Sequence, residues 1–200
     1  MNYFFVAIVA YFLGSISFAV IVSRLFGLPD PRTYGSNNPG ATNVLRSGNK
    51  LAAALTLLGD ALKGWLAVAL AAKAAPMLGL GDEAIAIAAL FVFLGHLFPA
   101  FYQFKGGKGV ATALGVLLAL DWRMGLGAAA LWLIVFALTR TSSLAALIAT
   151  AATPCVALYF HGPGLISAVI LLIALLVIWR HKENIIRLIS GREKQIRKSN

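Results

Sequence analysis

Three stretches of this chain hold most of the residues able to grip an anion. The first runs Tyr34-Gly35-Ser36-Asn37-Asn38-Pro39-Gly40-Ala41-Thr42-Asn43-Val44-Leu45-Arg46. It has no carboxylate and ends in a guanidinium, whose planar fork matches phosphate or carboxylate. Ser36, Asn38, Thr42 and Asn43 add neutral hydroxyls and amides. Ser-Asn-Asn-Pro-Gly is also ordinary turn chemistry, and such a stretch alone is more often a polar loop than a site. The second stretch runs Gly95-His96-Leu97-Phe98-Pro99, then Phe104-Lys105-Gly106-Gly107-Lys108-Gly109-Val110-Ala111-Thr112. Three glycines within four residues, just ahead of a helix, let backbone N–H groups converge on one point, and a helix N-terminus adds its dipole. Lys105 and Lys108 flank the glycines. The spacing is not that of a Walker A loop. A tight turn with topology-setting lysines explains the same residues about equally well. The third stretch is His181-Lys182-Glu183-Asn184-Ile185-Ile186-Arg187-Leu188, followed by Gly191-Arg192-Glu193. On a helix, His181, Asn184 and Arg187 share one face, and Ile185, Leu188 and Ile189 form an opposing apolar side suited to a membrane interface. Beyond Gly191 a basic tail resting on anionic lipid is the alternative.

The balance of charges narrows the chemistry. The chain has seventeen Lys and Arg against seven Asp and Glu, and no acids stand at metal-binding spacing. Many cations with few carboxylates select multiply anionic ligands and do not build a magnesium cluster. Metal-dependent phosphotransfer of the Asp-rich kind is disfavoured, and neither a metal nor a cofactor is expected. No G-x-S-x-G elbow marks a serine hydrolase. The single cysteine, Cys155, excludes an intramolecular disulfide and a cysteine-cluster metal site. Asp60 and Lys63 stand at i, i+3 inside an apolar run. Charges at membrane depth are costly, which favours a mutual ion pair over direct substrate contact. His96 is read as a site residue or a capping group.

These stretches are positioned by a membrane bundle. The chain is 60% hydrophobic and 12% charged, with mean hydropathy +0.85. An ordinary soluble domain carries about a quarter charged residues, and disorder needs low hydrophobicity and high charge. Apolar runs fall at 3–22, 51–72, 84–102, 110–120, 125–138, 143–160 and 164–179. They lack the alternation of barrel strands, so they are helical. The fourth and fifth are short and form either two spans or one span broken at Asp121-Trp122-Arg123. Lys and Arg concentrate in cytoplasmic loops. Seven spans place fourteen basic residues on one side and two on the other; six spans give nine against six. The expected fold is therefore all-α, with seven transmembrane helices, the N-terminus outside and the C-terminus cytoplasmic. The first run lacks a basic leader and reads as a retained helix. The net charge of +10 is assigned to the cytoplasmic membrane face and not to nucleic acid. No linker divides residues 1–200, so one domain is expected, its active site formed by cytoplasmic loops.

Taken together, Gly35-Ser36-x-Asn38-Pro39-Gly40-Ala41-Thr42-Asn43-Val44-x-Arg46, Gly95-His96-x-x-Pro99 with the glycine loop, and His181-x-x-Asn184-Ile185-x-Arg187-Leu188 resemble the three signature loops of the bacterial acyl-phosphate:glycerol-3-phosphate acyltransferase family. Asp60-x-x-Lys63-Gly64 resembles that family too. The likeness runs from the first span to Glu193. Asn37 departs from it, standing where glycine is expected in many members. The resemblance implies a multi-pass enzyme of the bacterial inner membrane with membrane lipid around it and other lipid-synthesis enzymes as partners. It implies transfer of a fatty acyl group from acyl phosphate to the 1-hydroxyl of glycerol 3-phosphate. The products are lysophosphatidic acid and phosphate, at the first acylation step of phospholipid biosynthesis. Ser36, Lys105, His181 and Asn184 are then the expected catalytic residues. The expected substrate-binding set is Asn38, Thr42, Asn43, Arg46, His96, Gly106, Gly107, Lys108, Gly109 and Arg187. The glycine loop with Ser36 and Asn43 is assigned to the acyl-phosphate head, and Arg46, Lys105 and His181, helped by Asn184, to glycerol 3-phosphate. The two assignments are exchangeable. Candidates for the base are His181, His96 and a phosphate of the substrate itself. The rival class is a transporter of small phosphorylated anions, for which broken spans and cations are also typical. A transporter needs a path to the outer face, whereas the polar residues here gather on one side.

Overall fold

The structure, a computed structural model, describes residues 2–195. Met1 and residues 196–200, including the Arg197 and Lys198 of the charge count, lie outside the described residues. The chain forms helices α1 (Asn2–Gly14), α2 (Phe18–Leu25), α3 (Ala41–Leu45), α4 (Lys50–Ala74), α5 (Glu83–Leu97), α6 (Val110–Leu120), α7 (Trp122–Thr139), α8 (Ser142–His161), α9 (Leu165–Arg180) and α10 (Lys182–Ile189). No strand occurs among the described residues. The expected all-helical membrane class holds, and all seven apolar runs are helical. Five segments are long and apolar enough to cross a membrane, the first being α1 and α2 together, and α9 with α10 makes a sixth, bent by 59°. The eleven residues of α6 fall short. At 1.5 Å per residue they reach about 16 Å, roughly half a bilayer core. The break expected near Asp121 is real. The Asp121 carboxylate caps α7 by accepting from the Arg123 backbone N–H at 2.8 Å, which starts α7 earlier than the apolar run suggests.

The chain divides into two compact units, residues 1–120 and 121–200. In the first, α4 packs on α6, and α1 on α5. Gly64 and Gly115 both lie in the α4–α6 contact, each against the backbone of the opposite helix. A methyl on Gly115 would strike the Ala61 carbonyl, and one on Gly64 the Thr112 carbonyl. Only glycine lets the two backbones approach this closely, which is how helices gain van der Waals contact where no hydrophobic force drives them together. Asn49 starts α4 by accepting from the Ala52 N–H at 2.9 Å.

The first apolar run is not one helix. It stops at Gly14 and resumes at Phe18, leaving backbone groups unpaired where water is absent. One is satisfied from a distant part of the chain: Lys63 Nζ donates to the Ile16 carbonyl at 2.6 Å. Side chains at the break in turn bond the backbone after α5: Ser15 Oγ accepts from the Ala100 N–H at 3.2 Å. Tyr11 Oη donates to the Phe98 carbonyl at 2.6 Å. The break is thus built against the second signature stretch.

In the second unit, α7 packs on α8 and α8 on α9. Pro154 interrupts α8 without unravelling it. It cannot donate to the Thr150 carbonyl one turn back, and the Thr153 hydroxyl does so instead at 2.8 Å. Cys155 is exposed on the same helix. The chain bends at His181, between α9 and α10.

Candidate functional site

The first stretch is wound around one amide. Asn43, 1% exposed, directs Nδ2 to the carbonyls of Pro31 at 2.7 Å and Tyr34 at 3.1 Å. Its Oδ1 accepts from the Ser36 backbone N–H at 2.9 Å and from Arg46 Nη1 at 3.3 Å. Both donors and the acceptor of this side chain are occupied within the loop. Asn43 therefore shapes the loop that presents Ser36 and Arg46, both of which are exposed. Asn38 and Thr42 are partly buried beside them. Asn37 has φ of 53°, in the left-handed region. Asparagine tolerates that region better than other non-glycine residues, so the departure from glycine preserves the turn.

The second stretch meets the first at Gly107. Gly106, Gly107 and Gly109 are buried, Lys108 is partly buried and Lys105 is exposed. The Gly107 N–H donates to the His96 carbonyl at 3.2 Å. A methyl on Gly107 would strike Nε2 of His96 and lie 3.1 Å from the Pro39 carbonyl. The glycine is wedged between the imidazole of its own stretch and the backbone of the first. His96 in turn faces α4, its Nδ1 3.6 Å from Asp60 Oδ1. Asp60 pairs with Lys63 at 2.8 Å, both 2% exposed. The ion pair expected from their spacing is present, and it reaches further than expected, to the Ile16 carbonyl.

In the second unit, His181 is 3% exposed, with Nδ1 2.8 Å from the Val177 carbonyl. A carbonyl only accepts, so Nδ1 carries the hydrogen. Asn184 is buried and Arg187 is partly exposed. Their partner is Glu193, which the sequence did not single out as a site residue. Its carboxylate accepts from Ser143 Oγ at 2.6 Å, Asn184 Nδ2 at 2.5 Å and Arg187 Nε at 2.7 Å. Burial pushes the Glu193 carboxyl up, but these three donors outweigh it and hold the group below the ordinary glutamate range. Glu193 thus folds the chain beyond α10 back onto Asn184. The apolar face of α10 also differs from expectation. Ile186 and Ile189 are the exposed pair, at 62% and 84%, while Ile185 and Leu188 are partly covered.

A bundle of apolar helices bearing glycine-lined, cation-flanked turns defines a class: an integral membrane protein that handles phosphorylated ligands. Comparison with known proteins sharpens this. Residues 4–191 match the glycerol-3-phosphate acyltransferase family. A glycerol-3-phosphate acyltransferase of Nitrosospira multiformis is 63% identical over 189 residues, 94% of each chain. One from Cupriavidus taiwanensis is 57% identical over 190 residues, covering 95% of this chain and 94% of the relative. The crystal structure of PlsY (YgiH), an integral membrane glycerol 3-phosphate acyltransferase, is similar in its glycerol 3-phosphate form, with TM-score 0.90 and 38% identity over 98% of this chain and 96% of that one. Its lysophosphatidic acid form gives TM-score 0.89 at 36% identity, with the same coverage. The chain belongs to the glycerol-3-phosphate acyltransferase family.

Proposed function

We propose that this protein transfers a fatty acyl group from acyl phosphate to the 1-hydroxyl of glycerol 3-phosphate, forming lysophosphatidic acid and inorganic phosphate. The observation that carries the reading is the meeting of the first two signature stretches at Gly107, in a chain of this family. Both substrates bear phosphate, so the enzyme needs two anion cradles. The glycine loop, with Ser36 on a turn braced by Asn43, takes the acyl-phosphate head. Arg46, Lys105, His181 and Asn184 take glycerol 3-phosphate. Asn38, Thr42, Lys108 and Arg187 support these turns and their charge.

Acyl phosphate is an activated mixed anhydride, and no enzyme nucleophile is required. The substrate hydroxyl attacks the acyl carbon and a tetrahedral oxyanion forms. The bond from that carbon to the phosphate oxygen then breaks. The hydroxyl proton leaves on a substrate phosphate, with His181 acting as a binder. Catalysis rests on positioning and on donors aimed at the oxyanion.

The protein works as one domain in the bacterial inner membrane, at the first acylation of phospholipid synthesis, with its N-terminus outside and seven crossings. The fourth of these crossings is α6, the shortest at eleven residues. Purified protein given acyl phosphate and glycerol 3-phosphate is expected to release phosphate and form lysophosphatidic acid in equal amounts. Counterflow of glycerol 3-phosphate across vesicles without phosphate release would instead establish a transporter.

A further inference from the structure

Lys63, Asp60 and His96 are more elaborate than a bundle closure requires. Replacing a buried ion pair by packed apolar side chains is often neutral or stabilising, so such a pair is weak evidence for stability alone. This one touches four separate segments. Asp60 and Lys63 lie on α4, and Lys63 Nζ reaches the Ile16 carbonyl in the break between α1 and α2 at 2.6 Å. Asp60 Oδ1 faces His96 Nδ1, on α5, at 3.6 Å. The opposite nitrogen of that ring, Nε2, lies where a methyl on Gly107 would stand. Beside these groups lies a tight crevice, lined among others by Ser15, Ile16, Lys63, His96, Gly106 and Gly107, with no room for even a water-sized guest. Ligand pockets measure roughly 300–1,000 Å³, so the network lies behind the cradle and does not receive a substrate there.

We propose that Asp60, Lys63 and His96 are positioning residues: they clamp the broken first span and press the His96 ring against Gly107, fixing the glycine cradle. His96, expected above to contact substrate, then acts through Gly107. The inference rests on the functional reading given above and adds to it the device that shapes the cradle.

The test uses the full-length protein purified in detergent, with phosphate release and thermal unfolding measured side by side. His96→Gln removes the ring but keeps both charges. The double variant D60N/K63M removes both charges together, so that neither is left buried alone. H96Q is expected to unfold at the wild-type temperature and D60N/K63M, which orphans the Ile16 carbonyl, somewhat below it, and each to lose about 10²-fold in kcat/KM, the cost of a misplacement near 1 Å. The kinetic constant that moves, kcat or KM, should be the one that moves in Gly107→Ala. H96Q/G107A should be no worse than G107A, since both changes act on one contact. Wild-type kcat/KM in D60N/K63M would show that the pair only closes the bundle and would overturn the proposal. If that variant does not fold, H96Q decides, and wild-type kcat/KM there, or additive losses in H96Q/G107A, would overturn it equally. A wild-type protein that releases no phosphate overturns the functional reading, and this inference with it.

Discussion

Gly107→Ala is expected to abolish nearly all acyl transfer, a loss of at least about 10²–10³-fold, the effect of removing one oxyanion-type donor. The cause is steric. Gly107 does not adopt a left-handed φ, so alanine imposes no backbone strain of its own. Its methyl instead meets the His96 ring and, at 3.1 Å, the Pro39 carbonyl. Neither neighbour yields easily. His96 is 7% exposed and backed by Asp60, while Pro39 is buried in the first stretch. The loop must move, and the N–H groups of the cradle move with it. Of the helices only the end of α5, through the His96 ring, takes part in this collision, so the variant should insert and unfold as the wild type does. Wild-type turnover in the phosphate-release assay would mean that the cradle is elsewhere.

Lys105→Ala is expected to cause a comparable loss by a different route. Lys105 is exposed, and its backbone N–H bond to the Tyr102 carbonyl, 3.1 Å, survives the substitution. Surface changes away from such features shift stability by about 0.5 kcal/mol or less, so unfolding should not change. What is lost is the ammonium group proposed to meet a substrate phosphate. A charged donor to a developing oxyanion or a phosphate is worth about 10²–10³ in rate. Steady-state kinetics over a range of glycerol 3-phosphate concentrations measure the loss. A variant with unaltered kcat and KM would remove Lys105 from the site.

The apolar helices were legible, though not the number of crossings, because lipid imposes one rule, that an apolar run must satisfy its own backbone, and hydropathy reads that rule directly. The break at 15–17 was not, because serine is common in membrane helices and nothing local shows that Lys63, far along the chain, caps Ile16. The reach of α10 was legible from its spacing, but the exposed pair proved to be Ile186 and Ile189. Pattern alone does not show that the chain beyond Gly191 turns back to set Glu193 against Asn184 and Arg187. Glu193 illustrates the same limit. A lone carboxylate in a basic tail reads as solvated, and only the fold shows three donors around it. Asn43 was legible as a polar loop residue, yet its partners are the loop's own carbonyls and amide. Residue type states what an amide can bond, and not which partner the fold supplies. Asn37 is the converse case, in which a departure from the family pattern is explained by a single dihedral angle.

The claim on which the function rests is that turns from separate parts of the chain hold the same anions. A structure of this protein with glycerol 3-phosphate bound tests it most directly. The phosphate should be held by cations of residues 34–46 and 105–109 together with His181 or Asn184. A phosphate gripped by one of these segments alone, or segments opening to opposite sides of the membrane, would contradict it.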